Sequence, residues 1–359
     1  MNPGRGDTAP DVARAVGGCS SFLLALHEFP DGDSLGSNLA MMRALQRLGK
    51  SVTLVAPTPP PERFGFLPGF QDIVALDTLD RPVSGFECIF LIDCSDPGRA
   101  GLGPDDLRQA ELVVNIDHHP SNALFGHVNY VDPKASAAAE QVRAVIASLG
   151  VALDREMALC LYVAVSTDTG GFRFENTTAE THRLAAELLD LGVEPGPVGE
   201  IIHDTRTVSS LRLVQRMLQT LSFAAGGRIA WVVVTRRMLE ECGATDDEVE
   251  GLVGYPRMID SVDVSFLLQE MPDGAVRVAL RSKKDFDVGA VAAALGGGGH
   301  RKAAGCVLRG TVEEVLSRVL EETKKLFPEE PAGPPAEAGP RPGTPEEDAT
   351  VWSPCGRPV

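Results

Sequence analysis

Four short apolar runs in the first third of the chain, separated in part by helix-like segments, constrain the fold more than any other feature. The runs are SFLLAL, SVTLVAP, ECIFLID and ELVVNID, and the helix-like segment LGSNLAMMRALQRLG separates the first two. Short apolar runs that alternate with helices are typical of parallel strands joined by crossover helices. The sequence therefore predicts an α/β fold with a doubly wound, mostly parallel sheet.

The second half of the chain predicts a smaller α/β domain. Helical patterns dominate from Ser136 to about Leu221, and strand-like runs then return in GRIAWVVVT, SVDVSFLLQE and AVRVALRS. The segment after Phe327 is rich in Pro, Glu and Gly, and too little of it is apolar to form a core. The expected division is a flexible N-terminus at 1–17, a first α/β domain at 18–190, a helical linker at 191–225, a second α/β domain at 226–326 and a disordered tail at 327–359.

The formal net charge of −17 limits the partners of this chain. Long DNA or RNA is held largely by basic tracks, so no long duplex is expected and any polyanionic substrate is expected to be short. No apolar run approaches the roughly 20 residues of a membrane span, and no membrane association is expected. The seven cysteines follow no disulfide pattern and the N-terminus resembles no signal peptide, which favours the cytoplasm.

Acidic residues and histidines gather where the predicted strands and helices end. Ligands bind beyond the carboxyl ends of parallel strands, so these side chains are expected to meet at one edge of the sheet. Carboxylates with a minority of imidazoles suit Mn²⁺ or Mg²⁺, and divalent ions would relieve the repulsion among the carboxylates. Two ions about 3.5–4 Å apart are the usual clamp for attack on phosphorus. The residues are His27, Asp31, Asp33, Asp93, Asp117, His118, His119 and Asp168.

Each of these residues has a structural alternative when it is taken alone. Asp31 and Asp33 stand in the sequence PDGD, which is good turn chemistry, and Asp93 is placed to cap a helix. The histidine pair can lie on the surface, and Asp168 beside glycines can end a helix. Their coincidence at the predicted edge of one sheet favours the metal site.

The glycine run GGGGH at 296–300 is a second candidate site. It lacks the Lys-Ser/Thr of a phosphate-binding loop and the spacing of a dinucleotide-binding motif, and glycine runs are often flexible loops. Because it follows a predicted helix, the N–H groups of Gly297, Gly298 and Gly299 are expected to form an anion-binding nest. His300 is then placed to donate to a phosphate.

Four motifs, in order along the chain, resemble the DHH phosphoesterase superfamily. They are HEFPDGDSLGS at 27–37, LIDCSDPGR at 91–99, DHH at 117–119 and STDTGGF at 166–172. The stretch LRSKKDFDVGAVAAALGGGGHRKAAGC at 280–306 resembles the DHHA1 substrate domain of that superfamily. The segments IDHHPSNALFG and YVDPKASAAAE resemble the branch that degrades nanoRNA and dephosphorylates 3′-phosphoadenosine 5′-phosphate. The resemblance extends from about residue 18 to 326.

The resemblance implies two Mn²⁺ ions per subunit, with Mg²⁺ or Co²⁺ as substitutes, and a homodimer. It implies that Asp93 bridges the two ions. The remaining ligands of one ion would be His27 and Asp31, and those of the other would be Asp33, His118 and Asp168.

The resemblance also implies roles for residues that do not bind the ions. Asp117 would orient the histidines, and His119 would contact the phosphate or its leaving oxygen. Arg281 and Ser282 would hold the phosphate and base of the substrate, together with the glycine loop and His300. A role of Gly32 in folding the chain tightly between Asp31 and Asp33 follows from its small size.

These features predict a manganese-dependent phosphoesterase in which hydroxide attacks phosphorus in line between two metal ions. The expected substrates are nanoRNA, linear dinucleotides such as pApA, and 3′-phosphoadenosine 5′-phosphate. One alternative is an inorganic pyrophosphatase resembling family II, which requires a different second domain. Another is a nucleotide-binding module without turnover, which the intact ligand set disfavours.

Overall fold

The computed structural model describes residues 6–327, which form two six-stranded sheets flanked by helices. The tail that is predicted to be disordered lies outside the described residues from position 328 onward. Between residues 6 and 327, no helix is both long enough and apolar enough to cross a membrane.

The first sheet contains six strands, namely β1 (Ser21–Ala25), β2 (Ser51–Ala56), β3 (Val74–Ala75), β4 (Cys88–Ile92), β5 (Leu112–Asp117) and β6 (Val128–Val131). Their order is β3-β2-β1-β4-β5-β6, and every pair is parallel. The three central strands β1, β4 and β5 are almost fully buried, because an apolar cluster covers each face of the sheet. The predicted doubly wound parallel sheet is confirmed.

Within the described residues, eight α-helices belong to the first half of the chain and to its connection with the second sheet. They are α1 (Ala9–Val16), α2 (Gly32–Arg47), α3 (Pro104–Gln109), α4 (Ala138–Ser148), α5 (Arg155–Asp168), α6 (Ala179–Asp190), α7 (Pro195–Gly199) and α8 (Val208–Leu218). A wider helical turn, Glu200–Asp204, follows α7 directly.

The prediction of a flexible N-terminus at 1–17 is wrong from Ala9 onward, because helix α1 is ordered there. The backbone N–H and the hydroxyl of Thr8 donate to the Asp11 carboxylate at 3.1 and 2.6 Å, which stabilises the first turn. Val12 and Val16 are fully buried in the core of the first sheet. The amphipathic spacing of these two valines was the available signal for this helix.

The close packing of α2 on α5 depends on two glycines. A Cβ atom at Gly32 would lie 2.4 Å from the side chain of Thr167, and one at Gly36 would lie 2.2 Å from the carbonyl oxygen of Cys160. Gly32 does not have a positive φ angle, so this position requires glycine for close approach and not for a special turn. The approach brings the first turn of α2 to the last turn of α5.

The second sheet contains six strands, namely β7 (Ser222–Ala224), β8 (Ile229–Val234), β9 (Val264–Glu270), β10 (Ala275–Ser282), β11 (Gly298–His300) and β12 (Ala303–Arg309). Their order is β11-β12-β10-β9-β8-β7, and only β8 and β9 are parallel neighbours. The helices that follow β7 are α9 (Arg236–Cys242), α10 (Gly254–Met258), α11 (Val288–Ala294) and α12 (Val312–Lys324).

Helices cover both faces of the second sheet. Side chains of α11 and α12 pack on one face, and side chains of α8 and α9 pack on the other. In the predicted linker at 191–225, α8 and β7 therefore pack with the second sheet.

Candidate metal centre

The carboxyl ends of β1, β4 and β5 lie side by side and bring together three groups of polar residues. His27 follows β1, Asp93 follows β4, and Asp117 ends β5 directly before His118 and His119. Two helix ends complete the edge. Asp31 and Asp33 stand at the start of α2, and Asp168 is the last residue of α5. The structure thus brings together all eight acidic and histidine residues that the sequence predicts here.

His27, Asp31 and Asp93 form the first group that could hold a metal ion. One ligand atom from each lies within 4.8 Å of the others, and His27 Nε2 is 3.6 Å from Asp93 Oδ2. His27 Nδ1 lies 2.7 Å from the carbonyl oxygen of Glu28, which leaves Nε2 for the ion. Asp31 also caps α2, because its Oδ1 accepts from the backbone N–H groups of Asp33 and Ser34.

Asp33, His118 and Asp168 form the second group, with ligand atoms that also lie within 4.8 Å of one another. His118 Nε2 is 3.4 Å from Asp168 Oδ2 and 3.7 Å from Asp33 Oδ2. His118 Nδ1 lies 3.2 Å from the carbonyl oxygen of Ala135, and this contact orients the ring. The Asp33 carboxylate is held by the N–H group of Ala138, which donates to Oδ2 at 2.6 Å at the start of α4.

Asp93 connects the two groups. Its Oδ2 faces His27, and its Oδ1 lies 3.5 Å from His118 Nε2. Asp93 Oδ1 is buried without a hydrogen-bond partner in the described part of the chain, and an orphaned buried carboxylate oxygen is costly. Asp93 has a φ of +59°, a torsion that aspartate tolerates better than most residues. The buried oxygen and the carboxylate–imidazole donor set fit a pair of divalent cations.

Asp117 organises the DHH segment from behind. Its Oδ1 accepts from the backbone N–H of His118 at 2.8 Å and lies 2.7 Å from His119 Nδ1. Its Oδ2 accepts from Asn122 Nδ2 at 2.6 Å, and Asn122 also donates to Asn115 Oδ1. The asparagines were not predicted, since only their contacts distinguish them from ordinary loop and strand residues.

The electrostatics of the cluster without ions follow from crowded, buried carboxylates. Burial, with Asp93 and Asp168 nearby, raises the pKa of Asp33 well above its usual range. Burial likewise raises the pKa of Asp168 to about 7. Burial lowers the pKa of His118, but its contacts with Asp93, Asp168 and Asp33 outweigh this and raise it well above its usual value. The free cluster therefore holds protons that an ion must displace.

We expect the affinity for Mn²⁺ to rise with pH. A carboxyl group whose pKa is raised by folding stabilises the folded, ion-free protein at low pH. For Asp168, this stabilisation is lost as the pH rises from about 4 through about 7. Ion binding requires the deprotonated forms, so the dissociation constant should fall about tenfold per pH unit for each proton released. Calorimetric titration with Mn²⁺ between pH 6 and 8 measures this, and an affinity independent of pH would contradict it.

The second sheet contributes His300 to the same edge. The His300 ring centroid lies 4.4 Å from that of His119 and 4.9 Å from that of His118. Burial, reinforced by the neighbouring His119 and His118, lowers the pKa of His300 to about 3. Such a pKa keeps the His300 imidazole neutral at pH 7, and the ring lies against the two histidines of the candidate metal centre.

The glycine run before His300 is not a nest as predicted. Gly296 has a φ of +82°, and the N–H of Gly297 donates to the carbonyl oxygen of Ala292, which closes the end of α11. Gly298 and Gly299 belong to β11 and pair with β12. A Cβ atom at Gly297 would lie 2.2 Å from the carbonyl oxygen of Gly305, so close packing accounts for this glycine.

Arg281 and Ser282 lie on opposite faces of β10. Arg281 is partly exposed on the face that also holds Arg277, whereas Ser282 is fully buried and its hydroxyl donates to the carbonyl oxygen of Phe286 at 2.6 Å. The prediction that Ser282 contacts the substrate is therefore wrong, because strand side chains alternate between faces. Burial lowers the pKa of Arg281, with Glu250 opposing and Arg257 and Arg277 reinforcing the shift.

The sequence prediction missed two arginines in the cleft between the two sheets. They are Arg257 and Arg277, and both lie close enough to Arg281 to lower its pKa. For Arg277 a signal existed, since the alternation in AVRVALRS places it on the same face as Arg281. For Arg257, in the short helix α10, the sequence holds no comparable signal.

Two family models match most of the described chain. The model for the DHH family, N-terminal domain, matches residues 21–165, and the model for the DHHA1 domain matches residues 229–329. The chain is 37% identical over 316 residues to the bifunctional oligoribonuclease and PAP phosphatase NrnA of Thermus thermophilus, covering 88% of this chain and 92% of that protein. It is 25% identical over 323 residues to the protein of the same name from Bacillus subtilis, covering 89% and 98%.

Two solved structures share the fold of this chain to different extents. An exopolyphosphatase-related protein from Bacteroides fragilis superposes with a TM-score of 0.80 at 25% identity, covering 90% of this chain and 98% of that one. RecJ from Thermus thermophilus, solved in complex with Mn²⁺, superposes with a TM-score of 0.54 at 12% identity, covering 88% of this chain and 54% of that one. The second similarity supports the fold alone.

Proposed function

This chain belongs to the DHH family of phosphoesterases, and we propose that it hydrolyses short oligoribonucleotides and dephosphorylates 3′-phosphoadenosine 5′-phosphate. The observation that supports this most directly is the acidic edge in which Asp93 joins two potential ligand groups. The relatives from Thermus and Bacillus are named for both activities and match this chain over nearly their entire length.

Enzymes of this family depend on divalent metal ions, and Mn²⁺ is the ion we propose here. His27, Asp31 and Asp93 would hold one ion, while Asp33, His118 and Asp168 would hold the other together with Asp93. When bound, the ions would lower the pKa of a water molecule and neutralise charge on the phosphoryl oxygens.

Other residues of the chain position the substrate. Asp117 holds the His119 ring at 2.7 Å, and the ring would donate to a phosphate oxygen or to the leaving oxygen. His300, neutral at pH 7 and beside His119, would do the same from the other side of the cleft. Arg281, desolvated at the same cleft, would bind a second phosphate.

The proposed division of labour places catalysis in residues 18–190 and substrate binding in residues 226–326. The DHHA1 domain disfavours the pyrophosphatase alternative, which requires a different second domain. The homodimer, the cytoplasmic location and the polarity of attack stay predictions.

A matched substrate panel tests the proposed function. With Mn²⁺ present, we expect turnover of pApA, of a five-nucleotide RNA and of 3′-phosphoadenosine 5′-phosphate, and little or none of pyrophosphate. Chelation should abolish all turnover, because the cluster without ions has nothing to activate water. Rapid hydrolysis of pyrophosphate alone would favour the pyrophosphatase instead, and no turnover of any substrate would favour the binding module.

A further inference from the structure

Two partly exposed phenylalanines of the first domain each lie against an arginine of the second. Phe29 is 40% exposed and Phe174 is 45% exposed. The guanidinium carbon of Arg277 lies 4.9 Å from the centroid of the Phe29 ring, and that of Arg257 lies 5.9 Å from the centroid of the Phe174 ring. Both pairs therefore cross the cleft between the two sheets, within the range of cation–π contacts.

Phe29 lies beside the candidate metal centre and has an unfavourable backbone conformation. It stands between His27 and Asp31 in sequence, and its φ is +52°, which is rare for a bulky residue. Its N–H donates to the Thr58 hydroxyl at 2.8 Å, which helps to hold this conformation. Strained residues persist mainly where the fold enforces them, and they cluster at ligand sites.

Phe174 also follows a candidate metal ligand in the sequence, Asp168, just as Phe29 follows His27. Its ring fills the space over Gly170, where an added Cβ would lie 2.4 Å from the ring. Asn176 Nδ2 donates to the carbonyl oxygen of Asp168 at 3.1 Å and to that of Ser136 at 2.9 Å, so this segment is tied to the metal edge. Glycine at position 170 is thus what allows the ring to lie there.

A contact that only joined the two domains would bury both rings, whereas each keeps two-fifths or more of its surface exposed. Bases stack on aromatic rings and on guanidinium planes alike. Arg281 lies on the same face of β10 as Arg277, and Arg257 is close enough to lower its pKa, so the guanidinium that is proposed to bind a phosphate lies near both pairs.

We propose that Phe29 with Arg277 and Phe174 with Arg257 are two base-stacking platforms, one for each nucleobase of a dinucleotide. This proposal rests on the proposed function and adds the residues that would hold the two bases on either side of the scissile phosphate. Stacking tolerates every base, so the platforms select for length and not for sequence. 3′-Phosphoadenosine 5′-phosphate, with one base, would use one platform only.

The test uses the whole protein with Mg²⁺ and a 5′-phosphorylated diadenylate in which methylene replaces the 3′ bridging oxygen, so that the P–O3′ bond whose hydrolysis would release two AMP molecules is absent. One adenine is replaced by 2-aminopurine, at each position in turn, and stacking is read as quenched fluorescence. The parent should bind and quench at both positions. Phe29→Ala and Phe174→Ala should each lose quenching at one position, a different one for each, and bind about 5- to 150-fold more weakly.

Matched variants separate stacking from folding. Phe29→Tyr and Phe174→Tyr keep an aromatic ring and should restore quenching and affinity. Phe223→Ala changes a phenylalanine of similar exposure, 48%, on the edge strand β7 and should leave both unchanged. In turnover of pApA, the alanine variants should raise KM and leave kcat within about threefold.

Two results would overturn the platforms. One is parent-like quenching in both alanine variants, and the other is equal loss at both positions in each variant, which would show an effect on domain closure. Either result leaves the proposed function standing if the parent hydrolyses pApA. Failure of the parent to bind or hydrolyse any dinucleotide would overturn the platforms, whereas the proposed function would fall only if the parent also failed to hydrolyse the five-nucleotide RNA and 3′-phosphoadenosine 5′-phosphate.

Discussion

Asp93→Asn should reduce kcat by about a thousandfold or more on every substrate and should impair metal binding at both ligand groups. Asp93 approaches His27 through one carboxylate oxygen and His118 through the other, so one change reaches both sites. Loss of a single preorganised electrostatic contact commonly reduces kcat 10²- to 10³-fold, and this change weakens two. Asparagine tolerates the positive φ at this position, so the backbone is preserved. Steady-state kinetics and calorimetric titration with Mn²⁺ measure the two losses.

Asp154→Asn is the matched control for this experiment. This variant makes the same change of charge at the opposite end of α5 from Asp168. There, Asp154 caps the helix, because its Oδ1 accepts from the backbone N–H of Met157. Asparagine caps helices as well as aspartate does, so this variant should keep parent-like turnover. Full Mn²⁺-dependent activity in Asp93→Asn would rule out a site in which Asp93 is shared by two ions.

Gly36→Ala should lower the free energy of unfolding by about 3 kcal/mol and should also weaken metal binding. The added Cβ would lie 2.2 Å from the carbonyl oxygen of Cys160, and a backbone atom cannot rotate away as a side chain can. Relief requires α2 to move away from α5. Such a movement separates Asp33 from Asp168, which belong to one ligand group. Urea denaturation with and without Mn²⁺ measures both effects.

Gly18→Ala provides the comparison for Gly36→Ala. A Cβ at Gly18 would meet no atom within 4 Å, and its φ is not positive, so alanine there should be neutral or slightly stabilising. Equal stability of the two variants would show that the α2–α5 contact adjusts more easily than the close approach indicates.

The first-domain half of the site could be predicted because its residues are tied to strand ends. Each of the candidate ligands His27, Asp93 and His118 lies directly or almost directly after a buried parallel strand, and such strand ends meet at one edge of the sheet whatever the details of packing. The resemblance to the DHH superfamily added the grouping around each ion. The fold class followed from the same alternation of strands and helices, and the ordered helix α1 was the error.

The second-domain half could be predicted only in part. Arg281 and His300 were expected at the cleft and the structure places His300 against His119, but the alternation along β10 turns Ser282 into the opposite core. The glycine run pairs as β11 with β12 because two backbones approach there, and such pairing depends on register with a distant segment.

The sequence by itself determined which residues meet at the candidate metal centre, because neighbouring residues set the ends of strands and helices and the parallel topology brings those ends together. Only the tertiary structure decided which residues face each other across the cleft. Phe29 meets Arg277, and Phe174 meets Arg257, through the docking of two domains that are joined by a long connection. Local sequence patterns indicate burial and periodicity. Docking depends on the complete surfaces of both domains, and no single stretch of sequence contains that information.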